Sequence, residues 1–270
     1  MRNVFVILLI AISIHNSKSQ CWEMIYDGGN DNIVFTNLEV LNDSVFWVVA
    51  GLVEQGQSLG LRTEDKGDSW SIVTWPSSIS HPSSIELIDQ NSAFIGSFKN
   101  SVYKTEDKGW SWDDVDIPPE GGGTQIRYIV FNNENEGWLT VDKGSIFHTQ
   151  DGGSDWVEKG NNVENEIPFF RGFQALTDSV AFFFGYHAFS SANSARVWKT
   201  INKGDTWNIL NLGLPTNEIG FFFLNQDTGW VVSQNNIIYK TMDGGTLGQN
   251  IQLRTTLKLM VLQSNSLPIV

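Results

Sequence analysis

Cleaving a glycosidic bond takes two carboxyl groups facing each other across a cleft. The chain offers Asp116, Glu120, Asp142, Glu164 and Glu166 in polar segments, and no spacing pairs any two of them. Arg127 and Arg171 each stand at the head of a strand-like run, where a guanidinium could hold a carboxylate or another anion. Ordinary pairing with the many acids nearby is the plainer use. His81, His148 and His187 have no metal-ligand spacing, and His15 falls in a leader-like segment. Gly121-Gly122-Gly123 lacks the Lys-Ser/Thr and the helix of a phosphate loop, so it reads as a link. These residues call for no metal and no cofactor.

One spacing dominates instead. Thr63-Glu64-Asp65-Lys66-Gly67-Asp68-Ser69-Trp70 returns as Thr105-Glu106-Asp107-Lys108-Gly109-Trp110-Ser111-Trp112. It returns again as Thr149-Gln150-Asp151-Gly152-Gly153-Ser154-Asp155-Trp156 and Thr200-Ile201-Asn202-Lys203-Gly204-Asp205-Thr206-Trp207. A last copy, Thr241-Met242-Asp243-Gly244-Gly245-Thr246, stops before its Trp. The markers Asp65, Asp107, Asp151, Asn202 and Asp243 lie 42, 44, 51 and 41 residues apart. A period of about 40–50 residues signals a repeat architecture. A calcium loop would need more carboxylates and a bidentate Glu further along. Only one oxygen-bearing side chain of that kind recurs, so the phrase reads as a structural turn. Its Asp or Asn can accept nearby backbone N–H groups. Gly67, Gly109, Gly153, Gly204 and Gly245 stand where a positive φ is expected. Trp70, Trp112, Trp156 and Trp207 are expected to tuck beneath their turns, each burial contributing on the order of 2–3 kcal/mol.

The elements that carry this turn are short strands. In the third repeat, 126–131, 137–141 and 145–149 read as three strands, with a fourth after the turn at 156–159. The other repeats follow the same register. Four antiparallel strands per ~45-residue unit predict a β-propeller blade. The expected architecture is all-β, with about five four-stranded blades; a truncated seven-bladed propeller fits the same pattern. Trp22-Glu23-Met24-Ile25 resembles the fourth strands at 70–73 and 207–210. It is expected to complete the last blade, which lacks a strand of its own, and so to remove an exposed edge.

Arg2, the apolar run 4–14 and the small residues Ser17 and Ser19 predict a signal peptide over 1–19. The propeller is then expected over 20–246, with an irregular tail over 247–270. The reading places the protein outside the cytoplasm: secreted, periplasmic or on the cell surface. The lone Cys21 can make no internal disulfide, and no later segment has the length of a membrane span. The formal charge of −13 argues against nucleic acid and anionic membranes as partners. Eleven Trp and 17 Phe, with only 17% charged residues, describe an ordered, aromatic-rich chain rather than a disordered one. A monomer is expected.

The recurring phrase resembles the Asp-box, or BNR, repeat. Four copies match in full with Asn202 allowed, and the fifth matches in its first half. With Gly-Trp in second strands and Tyr-Lys-Thr before the box, residues 22–246 are similar to the photosystem II stability/assembly factor-like propellers. The resemblance implies a non-catalytic scaffold that binds a protein partner or a glycan. It also implies that binding uses the face opposite the boxes and the central channel. Residues placed there are Trp75, His81, Glu120, Arg127, Arg171, Tyr186, His187 and Phe189. Similar boxes occur in sialidases and in xyloglucan-acting enzymes, so a glycoside hydrolase is the alternative. Phe169-Phe170-Arg171-Gly172 departs from the sialidase Arg-Ile-Pro motif.

Overall fold

The computed structural model describes residues 33–52, 57–76, 78–79, 82–98, 101–118, 125–142, 144–160, 169–186, 195–210, 218–233, 237–245 and 251–253. Of the residues assigned to the binding face, His81, Glu120, His187 and Phe189 lie outside this set, as does the Tyr186 side chain. So does the segment 22–25.

Twenty strands form five antiparallel sheets of four, each in simple meander order. The first sheet holds β1 (Ile33–Val40), β2 (Phe46–Leu52), β3 (Gln57–Thr63) and β4 (Ser71–Val73). The second holds β5 (Pro82–Leu87), β6 (Ala93–Ser97), β7 (Val102–Thr105) and β8 (Asp113–Val115). The third holds β9 (Ile126–Phe131), β10 (Gly137–Val141), β11 (Ile146–Thr149) and β12 (Val157–Glu158). The fourth holds β13 (Phe169–Ala175), β14 (Ala181–Tyr186), β15 (Ala195–Thr200) and β16 (Asn208–Leu210). The fifth holds β17 (Glu218–Phe223), β18 (Gly229–Ser233), β19 (Ile237–Thr241) and β20 (Ile251–Leu253). First strands stand beside first strands, β1 by β5, β5 by β9, β9 by β13 and β13 by β17. They are therefore the innermost strands, and the sheets fan outward as blades of a β-propeller.

One expectation fails at the fifth sheet. Its fourth-strand position is held by β20, which pairs Ile251 to Lys240 and Leu253 to Ile238. The segment 22–25 is not needed there, and the strand pattern runs past residue 246 into what the sequence offered as an irregular tail. The cause is visible in the chain: Ile251-Gln252-Leu253 keeps the alternation of a strand although the turn before it has lost its Trp.

The repeated turn links third to fourth strands. Its opening Thr is the hub. Thr63 Oγ1 donates to Asp65 Oδ1 at 2.7 Å and accepts the Gly67 N–H at 2.9 Å. The same pair of bonds recurs at Thr105, Thr149, Thr200 and Thr241, with distances of 2.8–3.0 Å. Asp65 Oδ1 also accepts the Ser69 N–H at 2.9 Å, and Asp107 Oδ1 accepts that of Ser111 at 2.8 Å. Two successive residues are left-handed in each turn, and the first of them is Lys66, Lys108 or Lys203 in three copies. That lysine or glycine N–H donates to the turn joining the first two strands of its own sheet, as Lys108 does to the Asn91 carbonyl at 2.8 Å. The boxed turns and the first turns therefore share one face of the propeller. The starts of the first and third strands and the ends of the second and fourth lie at the other.

The sheets interlock at equivalent seams. A second-strand aromatic, Trp47, Phe94 or Trp138, is at most 1% exposed. It lies under the boxed glycine of the next sheet: a Cβ on Gly109 would meet Trp47 at 3.0 Å, one on Gly153 Phe94 at 2.6 Å, and one on Gly204 Trp138 at 3.0 Å. Directly across the ladder, a cation or imidazole of the third strand covers the aromatic. Arg62 stands 5.7 Å from Trp47, Lys104 5.7 Å from Phe94, Lys199 5.6 Å from Phe182 and Lys240 5.6 Å from Trp230. In the third sheet His148 takes that place, 4.3 Å from Trp138. Such desolvated pairs stabilise by roughly 0.5–2 kcal/mol each. The closing Trp has two habits. Trp70 and Trp156 donate to their own turns at Gly67 and Gly153. Trp112 and Trp207 instead cross the seam to the carbonyls of Thr74 and Lys159, each at 3.0 Å.

Candidate functional site

Every innermost strand slips register once, in the half remote from the boxed turns. The breaks fall between Phe35 and Asn37, Pro82 and Ser84, Ile126 and Tyr128, Phe170 and Gly172, and Glu218 and Gly220. Each leaves one residue unpaired: Thr36, Ser83, Arg127, Arg171 and Ile219. A bulge bends the strand and re-aims the side chain of its extra residue. Ser83 turns its hydroxyl across the seam, 3.1 Å from the Gly96 carbonyl and 2.7 Å from that of Ile126. The next two bulges carry guanidinium groups.

Arg127 is half-buried and Arg171 exposed, and they occupy equivalent positions on the neighbouring strands β9 and β13. Tyr128 lies close to both. Burial raises its phenol, while the positive charges of Arg127 and Arg171 oppose that rise. Two guanidiniums whose charges both reach one half-buried phenol make this part of the wall locally cationic, in a chain of net charge −13. Such a wall can take a carboxylate or another planar anion through charge-assisted bonds. Of the other assigned residues, Trp75 is half-buried and packs 5.5 Å from Trp112, so it serves the seam between the first two sheets. Among the described residues no cluster of His, Cys, Asp and Glu could hold a metal ion.

Nearer the boxed face, the innermost strands carry carboxyl groups that sequence reasoning missed. Glu39 and Glu86 hold equivalent positions on β1 and β5, across the ladder from Trp47 and Phe94. Burial drives Glu39 up to about 7. Burial, with the nearby Glu39 adding, drives Glu86 up to about 8. Each is the penultimate residue of its strand, and only the register shows that it shares a face with the buried aromatic. An open depression of about 730 Å³ lies on the boxed face, between the turn 132–136, Gln150 and Asp178. Much of its polar lining already serves the turns: Asn133 Oδ1 accepts two backbone N–H groups, and Gln150 donates to Glu136 at 3.0 Å.

The five meander sheets and their inward bulges define a β-propeller whose wall, rather than its corners, varies in chemistry. In sequence it resembles a photosystem II assembly factor. It is 25% identical over 130 residues to the photosystem II assembly lipoprotein Ycf48 of Synechococcus sp. (strain CC9902), matching 47% of this chain and 36% of that protein. The chain thus spans about a third of the length of the curated relative it matches. No family model matches it. In structure it superposes on the Niastella koreensis GH74 enzyme with a TM-score of 0.61 at 17% identity, covering 81% of this chain and 38% of that one. The WD40 β-propeller domain of Doa1 gives a TM-score of 0.57 at 12% identity, covering 83% and 69%. These two likenesses establish the fold. No helix among the described residues is long and apolar enough to cross a membrane.

Proposed function

We propose that this chain is a non-catalytic β-propeller that binds a protein partner outside the cytoplasm, as an assembly scaffold built on Asp-box repeats. The observation that carries the reading is the pair of bulged arginines, Arg127 and Arg171, side by side on the wall away from the boxed turns. A protein segment bearing a carboxylate, as an acidic side chain or a chain terminus, fits that pair. The likeness to a protein named for photosystem II assembly supports the same class of role. The leader-like residues 1–19 support export.

The test is affinity capture from an extracytoplasmic extract with the wild-type chain and with Arg127→Glu/Arg171→Glu. One enriched partner, lost from the double variant while its unfolding midpoint is unchanged, is the expected result. A partner retained at equal yield overturns the assignment of the arginines.

A second reading is a glycoside hydrolase, and Glu39 with Glu86 favours it. A carboxyl that keeps its proton near neutral pH can serve as a general acid beside a second carboxylate. Against it, Glu86 Oε1 is engaged by the Phe131 N–H at 2.7 Å. Reducing-sugar release from xyloglucan, other β-glucans or sialosides, lost in Glu86→Gln, would establish this reading in place of the first.

A further inference from the structure

Inside the fold, the front of each sheet is covered by the sheet that follows. Trp47, Phe94, Trp138 and Phe182 are all at most 1% exposed. Among the described residues the fifth sheet keeps the same pattern without the cover. Phe222 is 44% exposed, Val232 40% and Ile238 39%, on the face that also carries Trp230. Leu224 and Met242 continue this apolar patch to the boxed end, 63% and 64% exposed. Earlier sheets bury the counterparts: Val49 and Phe184 stand where Val232 stands, and Val102, Ile146 and Val197 where Ile238 stands, all at most 2% exposed.

The first sheet shows the complementary lack at its back. Leu38 and Val40 are 54% and 53% exposed, whereas their counterparts in the second sheet, Ile85 and Leu87, are 2% and 8%. Lys66 of the first boxed turn is 65% exposed, against 37% for Lys108 and 36% for Lys203, which pair with acids of the preceding sheet. The two faces that would meet on ring closure are therefore both open.

We infer that the front of the fifth sheet docks the back of the first sheet of a second copy of this chain. The contact would reproduce the seam already used between consecutive sheets: Val232 and Ile238 against Leu38 and Val40, and Trp230 beneath the boxed turn at 66–67. Front and back are different surfaces, so the association is head-to-tail and each copy keeps one open end until the assembly closes. The seam is apolar while both copies carry the same net sign, so added salt should strengthen it.

The test is the mass of the full chain by light scattering and sedimentation over a hundredfold concentration range. Wild type should rise above the mass of one chain, more so at high salt. Val232→Asp and Leu38→Asp should each lose head-to-tail growth. Mixed, they should form a 1:1 dimer, because each supplies the intact face the other lacks. Leu224→Glu, at the exposed rim, gives the same readout with the strand interior untouched, should Val232→Asp not fold by circular dichroism. A wild-type monomer at every concentration and salt overturns the proposal and leaves closure within one chain. Undiminished association of both single variants, or no dimer on mixing them, also overturns it.

Discussion

Glu86 Oε1 accepts the backbone N–H of Phe131 at 2.7 Å, across the seam between the second and third sheets. Gln174 does the same two seams further on, between the fourth and fifth sheets, and with both ends of its amide. Its Oε1 accepts the Phe223 N–H and its Nε2 donates to the Phe223 carbonyl, each at 2.8 Å. A protonated Glu86 offers the same acceptor and donor as that amide, and burial that lifts it to about 8 keeps it protonated at neutral pH.

Stability should therefore fall as the solution becomes basic. Glu86 and Glu39 hold their protons more tightly folded than unfolded. Their contribution is complete below the ordinary value of about 4.5 and is lost as pH rises through about 7 for Glu39 and about 8 for Glu86. Urea unfolding of Glu86→Gln at a series of pH values should show a shallower decline than wild type, with the variant the more stable on the basic side. Parallel curves would remove the proton from Glu86.

The boxed carboxylates act in the opposite direction. Hydrogen bonds from the Ser69 hydroxyl and backbone, with Thr63, hold Asp65 down to about 2. Asp107 is lowered by Ser111, and Asp151 by the Asp155 and Thr149 bonds. Their contribution is present above the ordinary Asp value and lost as pH falls through the depressed ones. Asn202 fills the same place without a titrating group. Replacing all three with Asn should flatten the acid limb of the stability profile, read by fluorescence of the tryptophans, and leave the neutral midpoint nearly unmoved.

Two left-handed residues, in the first and second boxed turns, should respond in opposite senses. Gly109 has φ of 83°, and a Cβ there would stand 2.5 Å from Val73. Gly109→Ala adds backbone strain to overpacking and should cost about 2–4 kcal/mol. Lys66 has φ of 67°, and its ion pair with Asp43 is long and exposed. Lys66→Gly removes the strain and should stabilise by several tenths to about 1 kcal/mol. Denaturant midpoints of both variants test the pair.

His148 should supply a slope opposed to that of Glu86. It is 2% exposed against Trp138, its Nε2 lies 2.9 Å from Glu136 Oε2, and burial lowers its pKa more than Glu136 restores it. Its contribution is complete above the ordinary His value and lost as pH falls through the lowered one. His148→Gln should reduce the stability lost between about pH 7 and pH 5, by thermal unfolding at both values.

The corners were legible in the sequence because their chemistry is local. Thr63, Asp65 and Gly67 bond within five residues, so the phrase itself encodes the turn. The left-handed lysines were not legible, since Lys66 follows from a bond to the Ser44 carbonyl twenty-two residues away. The wall was half legible. Arg127 and Arg171 were visible as arginines at strand heads. Their equivalence rests on a register slip that pairing alone exposes. Glu39 and Glu86 were invisible because nothing local separates an inward acid from an outward one. The closing strand was misplaced because Trp22-Glu23-Met24-Ile25 copies the fourth-strand motif better than Ile251-Gln252-Leu253 does.

Thr36, Ser83, Arg127, Arg171 and Ile219 are out of register because the backbone puts them there, whatever side chain they carry. These addresses sit on a frame pinned elsewhere, by turns of Thr, Asp or Asn, and Gly, so a new side chain at one of them leaves those turns as they are. Selectivity in a molecule of this kind is thus free to drift far faster than its architecture.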